Sequence, residues 1–263
     1  MTDLRSVSSP LGPVILIVSG GAMAWCVVNA LRPRFPDLVV LVEEPEGKWA
    51  IVRRRARLLG WLPALGQAAS GVAHKLLAKV SSPRIATICA RHGLDPTVPE
   101  GLRVHQVGSV NSEACRALLC ELAPSVVAVY GTRIIRRDTL RATTAPFINY
   151  HAGINPKYRG QHPGYWALVN RDTEHAGVTV HLVDEGVDTG DVLYQARVGF
   201  EAGDNITTYQ WRQMTVALPL FAQAIEDART TGLRPYRVEL PTRQHFPPTL
   251  WAYAWYGVTR GVW

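Results

Sequence analysis

Asn149 and His151 alternate by two along the apolar run Phe147-Ile-Asn-Tyr-His151, so in a strand both side chains leave the same face. A neutral imidazole beside an amide can move a proton while the amide N–H groups hold a developing oxyanion. Asp188, in the turn sequence Val187-Asp-Thr-Gly190, is a carboxylate able to orient or charge-stabilise His151. No Ser or Cys stands in a nucleophile elbow beside them, so the trio suits direct group transfer better than a covalent enzyme intermediate. Each residue alone also has an ordinary structural use: a satisfied strand-end His, an Asn capping a turn, an Asp closing a hairpin.

The elements that must hold these groups read as an α/β fold. Val14-Ile-Leu-Ile-Val18 is a continuous β-branched run suited to a parallel strand buried on both faces. Ser19-Gly-Gly21 turns it into a helix from about Met23 to Leu31, and Leu38 to Val42 supplies the next strand. The two adjacent glycines lack the three-glycine dinucleotide fingerprint, although Glu43 and Glu44 stand where such a fold keeps its ribose carboxylate. Residues 45–82 change character to Arg, Ala and Leu and read as a helical insertion. Its Arg53-Arg-Arg55 and Arg57 suit a solvated outer face better than a ligand site. Further on come a helix from Pro83 to His92 closed by Gly93, a strand near Arg103 to Val107, and a helix to Leu122 capped by Asn111-Ser112-Glu113. The strands Pro124 to Tyr130 and Phe147 to His151 point the same way, which delivers Gly131 to Ile135 and Asn149 to His151 to one sheet edge. The predicted architecture is a Rossmann-like, mostly parallel twisted sheet with helices on both faces, a helical insertion and a short aromatic-rich C-terminal tail. Residues 1–204 form the catalytic domain; residues 205–263 form a helix and the tail, in which Trp251, Tyr253, Trp255, Tyr256 and Trp263 suit packing onto the domain or a homodimer interface.

At 263 residues and 47% hydrophobic composition the chain can bury a full core, and a net charge of +7 favours anionic ligands. Cys26, Cys89, Cys115 and Cys120 include no Cys-x-x-Cys pair, so neither a zinc site nor a disulfide framework is expected, and free thiols suit a cytoplasmic setting. Pro10, Pro13, Gly20 and Gly21 interrupt the apolar N-terminal run, which reads as strand, turn and helix rather than a secretory signal, and no run spans a membrane.

Asn149-x-His151, Pro156-x-Tyr-Arg-Gly160, Gly177-Val-Thr-Val-His181 and Asp184-x-x-x-Asp188-Thr-Gly-Asp191 together resemble the formyltransferases that use 10-formyltetrahydrofolate. That family includes the methionyl-tRNA, glycinamide ribonucleotide and sugar-nucleotide N-formyltransferases. The resemblance is specific over Val126 to Gln195 and softer over Val14 to Val42. It implies a catalytic trio of Asn149, His151 and Asp188. It also implies folate contacts at Arg133, Ile134 and Ile135 and at Val183, Asp184, Glu185, Gly186 and Val187. Tyr158, Arg159, Gly160, Gln161 and Trp166 would face the acceptor. No metal is implied.

The expected acceptor is the primary amine of a small, anionic molecule, with a nucleotide-linked amino-deoxy sugar first and an amino acid or natural-product amine as the rival. Nucleic acid is not expected, because the residues after Asn205 are too few for the barrel that follows the catalytic domain in the tRNA enzyme. Ser19-Gly-Gly-Ala22 also differs from the phosphate-cradling turn of the purine enzyme. A 10-formyltetrahydrofolate hydrolase and a non-catalytic folate or nucleotide module are the remaining alternatives.

Overall fold

The computed structural model describes residues 11–263; Pro10, named above among the interruptions of the N-terminal run, lies outside the described residues. The elements follow as β1 (Val14–Val18), α1 (Ala22–Leu31), β2 (Val39–Glu43), α2 (Lys48–Leu59), α3 (Trp61–Val80), α4 (Ser82–His92), β3 (Arg103–Val107), α5 (Glu113–Leu122) and β4 (Val126–Tyr130). Then come α6 (Arg137–Leu140), β5 (Phe147–His151), β6 (Arg159–Gly160), α7 (Pro163–Val169), β7 (Gly177–Leu182), β8 (Val192–Arg197), α8 (Tyr209–Arg229), β9 (Gln244–His245) and α9 (Leu250–Arg260).

Among the described residues a seven-stranded sheet runs in the order β3-β2-β1-β4-β5-β7-β8. The pairs from β3 through β5 are parallel; β7 and β8 are antiparallel. Strand alternation splits the core into two layers. Val14, Leu16 and Val18 pack with α1 and α8 on one face, while Ile15 and Ile17 pack with Cys115 and Leu119 of α5 on the other. Each of these β1 side chains is fully buried, a contribution of about 1.5 to 3 kcal/mol apiece for residues of this size.

The segment expected to be a helical insertion is two helices, α2 and α3, broken at Gly60, whose φ of 90° ends the first and starts the second. Ser112 caps α5 by accepting from the Cys115 N–H, as its position predicts. The closing helix begins at Tyr209 rather than Asn205. Asn205 instead accepts from the N–H and hydroxyl of Thr207 and holds the turn that precedes it. Within α8, the Gln213 Nε2 donates to the Ala152 carbonyl at 2.6 Å and the Gly177 carbonyl at 2.9 Å, which pins the end of β5 to the start of β7. The tail does not merely cover the domain. Its β9 pairs in parallel with β6, and its α9 packs on α3 through Trp251, which lies over Gly66.

Candidate active site

The C-terminal ends of β1, β4 and β5 open into a cavity of about 1250 Å³. Open parallel sheets bind ligands at this edge because the helix N-termini and strand-exit loops converge there. On its floor Asn149 and His151 leave β5 from one face, as their spacing requires, and Asp188 approaches from the loop between β7 and β8. The His151 Nδ1 is 3.4 Å from Asp188 Oδ2, and its Nε2 is 2.8 Å from the Tyr158 carbonyl oxygen. The Gly160 N–H donates to Asp188 Oδ2 at 2.9 Å. Asp188 reaches this point through a left-handed backbone with φ of 52°, a conformation Asp tolerates better than most residues.

His181 joins the trio. The antiparallel register sets it directly opposite Asn149, and its Nε2 lies 3.1 Å from the Asn149 Nδ2 and 3.6 Å from Asp188 Oδ1. In the tautomer that donates Nδ1–H to the Leu182 carbonyl at 2.7 Å, Nε2 accepts from Asn149 and fixes the amide. The other contact of that amide nitrogen, to Asp188 Oδ1, is 3.5 Å long, so one N–H is only weakly engaged and is available to a developing oxyanion. His181 closes one of the motifs that carry the family resemblance, but the sequence reading gave it no role in the site. The signal that finds it is the pairing of two strands far apart in the chain.

Two close approaches depend on glycine. A Cβ on Gly153 would fall 2.7 Å from His151 Nε2 and 2.5 Å from the Tyr158 carbonyl oxygen, so only glycine lets that hydrogen bond form. A Cβ on Gly190 would meet the Leu182 carbonyl oxygen at 1.8 Å, which would push β7 and His181 away.

Burial lowers the pKa of His151 more than Asp188 and the Tyr158 carbonyl raise it, so the ring is neutral at rest. Burial alone would raise the Asp188 carboxyl, but His151, His181 and the Gly160 N–H outweigh it and hold the group well below the usual carboxylate range. The site is therefore an ionised carboxylate between two imidazoles. A proton arriving on His151 is stabilised at once, since the imidazolium would donate to Asp188 and to Tyr158.

The residues expected to contact folate divide by role. Arg133, Ile134 and Ile135 line the cavity, with Ile134 exposed and Ile135 buried. The Arg133 guanidinium, however, turns away: it donates to Glu43 Oε1 at 3.2 Å, the Gly108 carbonyl at 2.9 Å and the Glu44 carbonyl at 2.7 Å. Glu43 is buried and also accepts from the N–H groups of Val110 and Arg133, so it is a clamp across strand ends and not a free ribose carboxylate. Val183, Asp184, Gly186 and Val187 line the opposite wall. Asp184 shapes that loop by accepting from the Gly186 N–H at 3.0 Å and the Thr189 hydroxyl at 2.6 Å, while Glu185 points outward to Arg137.

On the acceptor side Gly160 and Gln161 line the cavity. Tyr158 is buried with its hydroxyl donating to Asp172, Arg159 donates to Thr242 and the Val187 carbonyl, and Trp166 donates to the Phe246 carbonyl. These three brace the wall from behind. His245, stacked between Tyr158 and Trp166, joins Gln244 and Phe246 in lining the cavity, and so does Arg55 of α2, which donates to Gln161 at 2.8 Å. The sequence reading assigned neither Arg55 nor the tail to the site; both arrive through long-range packing. No group of metal-ligating side chains occurs among the described residues.

A mostly parallel sheet with an amide, an imidazole and a carboxylate at its C-terminal edge is an α/β arrangement suited to proton movement and group transfer. Residues 78–225 match the formyl transferase family model, more than half of the chain, and the chain belongs to that family. It is 34% identical over 160 residues to methionyl-tRNA formyltransferase of Pelotomaculum thermopropionicum, covering 58% of this chain and 50% of that one. The chain thus spans about half the length of the curated relatives it matches. In fold it is similar to a sugar N-formyltransferase from a Shewanella species, with a TM-score of 0.55 at 15% identity over 89% of this chain and 76% of that one. It is also similar to phosphoribosylglycinamide formyltransferase from Streptococcus pneumoniae, with a TM-score of 0.54 at 21% identity over 84% and 100%.

Proposed function

We propose that the chain moves the formyl group of 10-formyltetrahydrofolate to the primary amine of a small anionic molecule, a nucleotide-linked amino-deoxy sugar being the leading acceptor class. The observation that carries this reading is the Asn149, His151, His181 and Asp188 cluster on the floor of one large cavity. The cavity has room for two ligands side by side, since drug-sized sites run from about 300 to 1000 Å³. Its strand-exit wall from Gly131 to Ile135 faces the ordered loop from Val183 to Val187, a separation that suits a flat ring inserted between the two.

When bound, the folate supplies a formyl carbon activated by its nitrogen. In this reading the amine of the acceptor attacks from the side of Gly160 and Gln161. The weakly engaged N–H of Asn149 takes the developing oxyanion, and His181 keeps the amide in that orientation. Asp188 accepts the amine proton, directly or through water, and shares it with His151; as the tetrahedral intermediate collapses and the bond between the formyl carbon and the folate nitrogen breaks, Asp188 returns the proton to that leaving nitrogen, again directly or through water. Arg55, presented beside Gln161, would meet the anionic portion of the acceptor.

A second reading takes the aminoacyl end of a tRNA as the acceptor, supported by the similarity to methionyl-tRNA formyltransferase. The experiment that separates the two is formyl transfer from 10-formyltetrahydrofolate, read by a formyl-mass gain, against nucleotide-linked amino sugars, free amino acids, amines and methionyl-tRNA. Formylation of a sugar nucleotide that disappears with His151→Ala supports the first reading. Formylation of the tRNA alone overturns it, and formate release with every amine absent points to the hydrolase.

A further inference from the structure

The helical insertion and the aromatic tail share an unusual surface. Between Glu46 and Asp95 the sequence holds no acidic residue and nine Lys or Arg, and none follows Glu239 either. On α3 the side chains of Leu62, Leu65, Val72 and Leu76 all stand exposed, 51% to 72% of their surface open. Their spacing of three, seven and four residues, with Ala69 between, draws one apolar stripe along a helix of 20 residues. Trp251 carries the stripe across to α9, because its ring lies over Gly66, and Trp255 continues it one turn further on. Trp49, at the start of α2, and Trp61, at the start of α3, are more than half exposed.

Basic groups flank this apolar surface. Lys48, Arg53 and Arg57 of α2 and Lys75 and Lys79 of α3 are exposed and make no ion pair among the described residues. Arg84 and Arg91 are tied to Glu201 and Asp204, and Arg54 to Glu46, so they do not belong to the face. Exposed Trp and Leu interleaved with unpaired Lys and Arg, and no carboxylate, is the make-up of helices that lie in a bilayer interface. A second copy of the same face would oppose like charges with no counter-charge on either side. RNA would use the cations but leaves the Leu and Val stripe in water.

We propose that the face formed by α2, α3 and α9 docks on an anionic lipid bilayer, the apolar stripe of α3 and the Trp residues of α9 entering the headgroup boundary and the lysines and arginines meeting lipid phosphates. No helix among the described residues is long and apolar enough to cross a membrane, so the attachment is peripheral. Arg55 and Leu58 of α2 also wall the catalytic cavity, which places the cavity mouth at the border of this face.

The test is co-sedimentation of the whole chain with phosphatidylcholine vesicles, with and without about a third phosphatidylglycerol. Binding is expected only to the anionic vesicles and weakens with salt. Arg53→Gln with Arg57→Gln reduces the partition coefficient about thirtyfold, and Leu65→Glu with Val72→Glu abolishes binding, both with unchanged thermal melts. Absence of binding to anionic vesicles overturns the proposal, as does binding that neither pair of substitutions alters. It is also overturned if the chain is a dimer that Leu65→Glu with Val72→Glu renders monomeric, or if the substitutions weaken retention of a structured RNA and leave vesicle binding intact.

Discussion

The carboxylate of Asp188 faces the imidazole of His151 at 3.4 Å while the opposite nitrogen of that ring sits 2.8 Å from the Tyr158 carbonyl. Both ring nitrogens therefore have acceptors, although burial keeps the ring neutral at rest. The ring is built to receive a second proton and to hold it for the length of a reaction.

It follows that His151→Ala and Asp188→Asn each reduce kcat by at least about a hundredfold with circular dichroism unchanged. In the wild-type enzyme the acid limb of the pH profile falls below the ordinary histidine value of 6.5, because burial lowers the group. Asp188 raises His151, so the limb of the Asp188→Asn variant moves to still lower pH. A limb at or above 6.5 would show that His151 is not the titrating group.

His181 is a positioning residue for Asn149, and its loss should be felt in the transition state. His181→Leu lowers kcat about tenfold to a hundredfold with little change in the KM for folate, and His181→Gln, which restores an acceptor, recovers part of the loss. An unchanged kcat in the leucine variant would exclude this role.

Gly153→Ala tests the close packing behind His151. The new methyl group must displace Tyr158 or the imidazole, which costs about 1 to 3 kcal/mol of stability and weakens transfer out of proportion to the loss of folded protein. Denaturant titration beside single-turnover kinetics measures both.

Arg55→Ala should raise the KM for an anionic acceptor about tenfold and leave that for folate unaltered, because the guanidinium stands beside Gln161 on the cavity wall. A neutral amine of the same size should show no such difference between the two enzymes.

Acid sensitivity follows from two desolvated rings outside the catalytic cluster, His162 partly buried and His245 buried. Burial, with His74 and Arg55 adding like charge, holds His162 down to about 4, and burial with Arg243 does the same for His245. The unfolded chain takes up these protons near 6.5 while the folded chain resists to about 4. Stability is therefore complete above pH 6.5 and is lost as pH falls towards 4, by on the order of 3 kcal/mol per ring. Thermal melts over this range check it, and His245→Phe, which keeps the stack between Tyr158 and Trp166, flattens the dependence.

By itself the sequence determined the parts whose cause is local. Period-two spacing sends Asn149 and His151 to one face of β5, unbroken β-branched runs make β1 and β4 buried parallel strands, and Ser112 starts α5 where its side chain can accept from an orphan N–H. The tertiary structure alone decided the partners. The antiparallel register of β5 and β7 sets His181 against Asn149, and the packing of strand ends turns the Arg133 guanidinium onto Glu43 and away from the ligand. Insertion and tail reach the cavity as Arg55 and His245 only because α2 sits at its mouth and β9 pairs with β6. Spacing along a chain specifies which way a side chain leaves its own element. What it meets depends on contacts between segments as far as 106 residues apart, as Arg55 and Gln161 are, and those are set by the closure of the whole core.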